Sequence, residues 1–363
     1  MSQTLIFTSG LIIIWLVGYL LIVGSHVLIP FVLAVFIWHL LNTISNNIQR
    51  IPKVGAYLPN WLSMIFAFVI VAVFIFIFIF IITDNVNDVI AASSRYQENL
   101  LKIFNNIDQK FNIKVLASMN SIIKSLNLQT IFVNVYGVFT TLMGSTVLIL
   151  LYVVFLFVEQ HFFLKKIDAL FPTLESRMLM NNIISHIVNN TQTYLGLKSI
   201  LSICTAISSW VVMKWVGLDF AKFWALLIFF LNFIPNIGAI IAIAFPTALA
   251  ALQFTGWIPF IEVILGLGAI QFIIGNLIEP RFLSNSLNLS PLVILISLAV
   301  WGAIWGILGM FLAVPITVMM MIIFAHFEKT RSIAILLSQD GDVFKTYELL
   351  PMENLPEQDW VQY

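Results

Sequence analysis

The sequence predicts an all-α polytopic integral membrane protein. Three observations carry that reading. Of 363 residues, 61% are apolar and only 9% charged, whereas an ordinary soluble domain is roughly a quarter charged; the mean hydropathy is +1.03. The apolar residues gather into about eight segments suited in length to a bilayer core, which takes about 20 helical residues. Two of those segments, Phe220–Phe254 and Pro291–Ala325, are 35 residues each and broken near their middles.

The segments follow in order. Leu5–Gly24 is the first span and Val27–Leu41 the second, so Ser25-His26 is a tight turn or a kink. No Lys or Arg precedes the first run and a second follows at once, so a cleavable signal is not expected. Trp61–Ile82 is the third span and ends in FIFIFIFII, an alternation that suits a strand; its length and its apolar neighbours favour helix. Gly137–Val158, Tyr194–Val216 and Trp257–Ile274 are further spans. As single helices the two overlong runs would each measure about 52 Å against a core of about 30 Å. Pro235-Asn236-Ile237-Gly238 breaks the first; Gly302, Gly306 and Gly309, leading to Pro315, break the second. Each run is therefore two segments, either a hairpin or a kinked crossing.

Between and beyond the spans lie polar stretches. Residues 84–136 form an extramembrane amphipathic helical arm, with Leu100, Phe104, Ile107 and Phe111 stepping by four, three and four along one face. That stripe is expected to be buried against the arm itself or a neighbouring subunit. Residues 165–190 form an amphipathic linker. The chain divides into N-terminal spans over 1–83, the arm over 84–136, a fourth span with its linker over 137–193, a transport core over 194–325 and a polar tail over 326–363. Arg50 and Lys53, Lys165, Lys166 and Arg177, and Lys329 and Arg331 follow successive spans; placing all of them inside gives a cytoplasmic C-terminus and an external arm.

Several function classes drop out. Equal counts of basic and acidic residues, 17 each, give no basic bias toward nucleic acid. The single cysteine, Cys204, excludes an intrachain disulfide and a Cys-based zinc site. His26 and His39 have no second ligand at metal spacing. No Walker A loop, HExxH or GxSxG occurs. No catalytic residue, metal or cofactor is expected, and transport would draw on a gradient or a partner. The expected partners are the lipid bilayer and a small-molecule or ion substrate.

A helix broken at membrane depth frees backbone groups that must face protein or water, and secondary transporters bind solutes at such paired breaks. That places Asn232, Pro235, Asn236 and Gly238 on a candidate substrate or ion pathway, together with Gly306, Gly309 and Pro315. A Pro kink without a ligand is the plainer reading of the first break, and close helix packing at Gly302–Gly306 that of the second. Glu262, followed by Gln271 and Asn276, is either a membrane carboxylate on an ion path or an interfacial residue. Glu279 and Arg281 flank Pro280 and are placed to pair, while Lys198 and Lys222 are expected to snorkel. If Gly238 has positive φ, Gly238→Val should be the most damaging change in the first break.

FLNFIPNIGAIIAIAFPTALAAL and GNLIEPRFLSNSLNLSPLVILISLAVWGAIWGILGMFLAVP resemble the autoinducer-2 exporter family of PerM-like permeases, in detail over roughly Tyr194–Ala325. The resemblance implies a homo-oligomeric transporter of the bacterial inner membrane, a pentamer, exporting autoinducer-2 or, in some members, exchanging sodium for protons. It carries over to Asn232, Pro235, Gly238, Gly275, Asn276, Glu279, Pro280, Pro291, Gly306, Gly309 and Pro315. Two positions depart from it: Ile274 stands where many members have an acidic residue, and Ser284 where many have Gly. Without the carboxylate, cation coupling has no anchor at 274. The competing functions are a secondary transporter of a small polar or ionic solute, a passive oligomeric pore, and a non-transporting scaffold acting through the external arm.

Overall fold

The computed structural model describes residues 3–51, 58–111, 137, 140, 144–254, 256–283 and 288–343. These are almost entirely helical; among them the only extended pairing is an isolated antiparallel bridge, Leu289 to Ser338. Among the described residues six helices are long and apolar enough to cross a membrane, and shorter apolar helices accompany them. The protein is an all-α polytopic membrane protein. In chain order the helices are α1 (Gln3–Val23), α2 (Ser25–Gln49), α3 (Asn60–Phe111), α4 (Thr146–Leu170), α5 (Leu174–Val216), α6 (Ala221–Leu231), α7 (Ile237–Gln253), α8 (Trp257–Phe272), α9 (Glu279–Leu283), α10 (Pro291–His326) and α11 (Arg331–Leu337). The FIFIFIFII run is helical within α3. The side chains of Leu100, Phe104, Ile107 and Phe111, and residues 112–136, lie outside the described residues.

The chain forms two compact units. The first comprises Met1–Val69, Ser145–Leu197 and Phe282–Tyr363. Within it α2 packs along α4, with Trp38 Nε1 donating to Gln160 at 2.9 Å. Polar contacts join α2 to the start of α3: Ser45 to Ser63 at 3.0 Å, and Gln49 to Ser63 and Asn60 at 2.8 and 2.9 Å. Such pairs satisfy polar groups that lipid cannot.

The second overlong run is a helical hairpin. Its turn is Gly306, at φ 64° and ψ −142°, a region essentially reserved for glycine. Trp301 and Gly309 are eight residues apart, which in a straight helix is about 12 Å of rise. Instead, a Cβ on Gly309 would lie 1.9 Å from the Trp301 carbonyl oxygen. Val293 and Ile294 on one arm share a buried cluster with Val318, Met321 and Ile322 on the other. The glycines thus serve close approach inside one hairpin. The opening of this hairpin is tied to the chain beyond α11: Ser290 N–H donates to Leu337 O at 3.0 Å and Gln339 N–H to Asn288 O at 3.1 Å.

The second unit comprises Ile70–Gly144 and Lys198–Arg281. Here the first overlong run is also a hairpin, made of α6 and α7. Trp224 stacks on Phe245 with centroids 6.1 Å apart, and Gln253 Nε2 donates to Gly217 O at 2.9 Å. The first pair is centred on the Ile234–Pro235 bond and the second on Pro235 itself. With 11 and 17 residues, the arms reach about 16 and 25 Å, short of a full crossing. At the open end, Tyr96 of α3 is 1% exposed and donates to Asp219 at 2.7 Å, and Arg95 pairs with the same carboxylate at 2.6 Å.

Two predictions follow from this packing. Gly309→Ala should cost about 3 kcal/mol, because its methyl meets backbone, whereas Gly302→Ala meets only the flexible end of Met310 and should cost about 1 kcal/mol or less. Thermal unfolding in detergent separates the two, and equal losses would contradict the hairpin. Burial pushes the Tyr96 phenol up to about 12 from 10.0, and its hydrogen bond to Asp219 adds to the rise. Because the folded pKa exceeds the unfolded one, this contribution is complete below pH 10 and is lost as pH climbs toward 12. Tyr96→Phe should flatten the stability profile across that window and, at every pH below it, lower stability by about 1 kcal/mol, since Asp219 loses a donor.

Candidate functional site

A membrane helix that carries polar residues on one face turns that face toward protein. α5 does this over its second half. Lys198, Ser202, Thr205 and Ser209 recur at intervals of four, three and four, the spacing of one helical face. All are buried, and Ser202, Thr205 and Ser209 are 0% exposed. On the opposite face Ile200, Ile203, Cys204, Ile207 and Val211 are exposed, as lipid contact requires.

The buried face meets two irregular elements of the same unit. The first is the tip of the α6–α7 hairpin. Asn232 is buried, and its side-chain amide donates to Ser202 Oγ at 3.1 Å. The turn closes on itself through Ile234 N–H to Leu231 O at 2.9 Å, Ile237 N–H to Pro235 O at 2.6 Å and Gly238 N–H to Ile234 O at 3.0 Å. Its positive φ belongs to Asn236, at 59°, not to Gly238. Gly238 is needed because a Cβ there would lie 1.7 Å from the Leu231 carbonyl oxygen. Asn236 is exposed at the tip and Pro235 half-buried.

The second element is a π-helical turn, Ile273–Ile278, that joins α8 to α9. The Glu279 N–H reaches back five residues to Ile274 O. Pro280 follows and has no N–H to give, so a carbonyl one turn back loses its helical donor. Such widened turns recur at functional sites. Gly275 and Asn276 lie in this turn, and Glu279 immediately after it forms an ion pair with Lys198. Lys198 is therefore not a snorkelling residue: it is 3% exposed and its ammonium ends on Glu279. Glu279 accordingly pairs with Lys198, across 81 positions, and Arg281 is exposed. Burial makes this pair obligatory, since either charge alone would be strongly penalised in a low-dielectric interior.

α5 and α8 run antiparallel. Gly266 packs on Val212 at one end, where a Cβ would come within 2.7 Å of the valine side chain, and Lys198 meets Glu279 at the other. Lys198 and Ser202 are four residues apart on α5, so the residues they hold, Glu279 after the π-helical turn and Asn232 at the hairpin tip, are attached to it about one helical turn apart. Gln271 is buried, with Nε2 lacking a hydrogen-bond partner. Glu262 lies 17 residues before Glu279 in the same rod, about 25 Å away, and is not brought to the site. Gly306, Gly309 and Pro315 belong to the other unit: Gly306 is exposed at its turn and Gly309 and Pro315 are buried.

Comparison with known proteins gives a family. Residues 10–329 match the family described as AI-2E family transporter. The chain is 28% identical over 351 residues to "AI-2 transport protein TqsA" of Escherichia coli strain K12, covering 93% of this chain and 98% of that one. It is 29% identical over 353 residues to a "Putative transport protein" of Haemophilus influenzae, covering 94% and 97%. "Putative permease PerM" of Escherichia coli strain K12 is 26% identical over 170 residues, 47% of this chain and 48% of its own.

The ion pair makes a double-variant prediction. Lys198→Met leaves a carboxylate without its cation and should destabilise by about 3 kcal/mol, the low end for a buried pair because Glu279 keeps part of its side chain exposed. Lys198→Met combined with Glu279→Gln should recover most of that loss. Strictly additive losses in thermal unfolding would mean the two residues do not act as a unit.

Proposed function

The chain belongs to the AI-2E transporter family, and we propose that it carries a small polar solute across the bacterial inner membrane through the second unit. The observation that carries this reading is that two broken helices are held on one buried polar face of α5 about one helical turn apart: the hairpin tip through Asn232 on Ser202, and the end of the π-helical turn through Glu279 on Lys198. Broken membrane helices are where transporters bind. Ser202 and Asn232 fix the tip, Asn236 presents its amide from an exposed position, and the freed carbonyl near Gly275 and Asn276 supplies an acceptor. Glu262 stays off this pathway.

The chemistry favours a neutral, hydroxyl-bearing solute such as autoinducer-2, moved outward, over sodium/proton exchange. Position 274 is Ile, and the nearby carboxylate of Glu279 is already engaged by Lys198. One relative named for AI-2 transport matches 93% of this chain, which supports the same solute class here. Lys329 and Arg331, directly after the last span, support a cytoplasmic C-terminus. The resemblance extends the reading to a homo-oligomer, a pentamer.

Transport tests it. In proteoliposomes loaded with autoinducer-2, counterflow should be accelerated by solute on the far side. Asn236→Leu should lower flux about tenfold, the worth of one hydrogen bond to the moving solute, without lowering thermal stability. Pro235→Ala should also slow flux by favouring fusion of the half-helices, since Pro disfavours a helix interior by about 3 kcal/mol. Wild-type flux in both variants overturns the tip as the site; flux that neither saturates nor shows counterflow identifies a pore.

A further inference from the structure

In the first unit, α2, α3 and α4 enclose a groove of about 270 Å³. Leu41 and Val153, 1% and 2% exposed, form its floor, and Ile65, Phe68, Val154 and Phe157 form its walls; every residue lining it is apolar. The ends of the three helices gather at one side of the membrane. Phe31 meets Tyr152 and Trp38 meets Gln160, so α2 and α4 run parallel. Gln49 donates to Asn60, so α3 starts where α2 ends. Toward that side both walls become interfacial. On α4, Val154, Phe157, His161 and Lys165 step by three, four and four along one helical face. On α3, Phe68, Ile65 and Trp61 step back by three and four. Trp61 is 65% exposed, as suits an indole at the membrane–water boundary, and Lys165 is exposed. The charged neighbours of Lys165 are occupied: Lys166 pairs with Glu159, and Asp168 lies 3.9 Å from Arg177. Among the described residues Lys165 and, at the end of α2, Arg50 have no ion-pair partner.

We propose that this groove holds one acyl chain of an anionic phospholipid, with Lys165 against the headgroup. Size selects the chain. A helix about 10 Å across that rises 5.4 Å per turn fills roughly 400 Å³ in each turn. A helix from a second copy would therefore place less than one turn in the groove, whereas a single row of methylenes lies along it. Length agrees. Phe157 and Lys165 are eight residues apart, about 12 Å of rise, and half of a bilayer core is about 15 Å. A chain lying beside Val154 and Phe157 thus has its headgroup at the level of Lys165. Charge selects the headgroup. Lipid tails are as apolar as the groove, so the chain alone brings no preference for one lipid over another. Basic side chains beside pockets between membrane helices hold anionic headgroups. The mouth here carries Lys165, while the described carboxylates beside it, Glu159 and Asp168, are turned to Lys166 and Arg177.

Native mass spectrometry of the purified, delipidated full chain tests this. The protein is offered phosphatidylglycerol and phosphatidylcholine with identical acyl chains in equal amounts, and the first lipid bound is identified. Wild type should retain phosphatidylglycerol about fivefold over phosphatidylcholine, the worth of one basic residue at an anionic headgroup. Lys165→Gln should bring that ratio close to one, whereas Lys222→Gln, an exposed lysine of the second unit, should leave it unchanged. Val154→Trp fills the groove from an exposed position and should lower retention of both lipids about tenfold through overpacking. Phe155→Trp, exposed on the adjoining face, should not. Ile65→Trp, on the opposite wall, replaces Val154→Trp if that variant fails to assemble. An unchanged lipid ratio in Lys165→Gln overturns the headgroup contact, and unchanged retention in the groove variant overturns the acyl chain. Dissociation of subunits in the groove variant, with lipid retention unchanged, identifies a second copy as the occupant and overturns the proposal as well.

Discussion

Hydrocarbon offers a peptide group no hydrogen-bond partner, and the two broken runs are solutions to that constraint. Each run is too long for one crossing, and each turns back within itself through a glycine set against a carbonyl seven or eight residues earlier: Gly238 on Leu231 and Gly309 on Trp301. No side chain fits between those atoms. The close approach lets two short helices lie together and keeps most of the turn's backbone groups paired locally. Beside these turns, Asn232 and Glu279 are held on the polar face of α5, while Asn236 and Asn276 are exposed. Solute chemistry becomes possible at the same places where helix geometry fails.

Electrostatics then decides what kind of solute fits. A lysine buried in the membrane has to meet an anion, and Lys198 meets Glu279 across the α5–α9 contact. This pairing ties the end of the π-helical turn to α5 one helical turn from Ser202, which holds Asn232. It also withdraws both charges from the pathway. What is left on the buried face is hydroxyl and amide, a surface that discriminates by hydrogen bonding and exerts little net field. In the same unit, Tyr96 and Arg95 on Asp219 hold α3 to the open end of the first hairpin, so the hairpin is anchored at its base.

Composition and the two internal breaks were legible in the sequence because membrane length is a one-dimensional constraint: 35 apolar residues with Pro-Asn-Ile-Gly in the middle cannot be one straight crossing. Hairpin and kink could not be separated there, since both satisfy length and composition; only contacts between residues equidistant from the turn, such as Trp224 with Phe245, decide it. Gly238 stands at the turn because of close approach, and the positive φ sits on Asn236. Asn232 and Asn236 look alike in sequence, yet one is buried on Ser202 and the other exposed. Lys198 was misjudged as a snorkelling residue. The signal that would have found it was present: Lys198, Ser202, Thr205 and Ser209 share a helical face, and a lysine at the head of such a stripe points inward with it. Its partner Glu279, 81 positions away, is a tertiary fact that no local pattern contains.

The fold-back of the overlong runs is the claim on which the rest stands, and one distance measures it most directly. Leu292 and Met320 are both exposed and equidistant from Gly306. Spin labels at these two positions, in a Cys204→Ser background and in lipid, report their separation by pulsed dipolar spectroscopy. Two packed hairpin arms place the backbones about 10 Å apart, so a short distance, below about 20 Å between labels, is predicted. A single helix through Gly306 would set them about 42 Å apart, and a distance in that range would contradict the account.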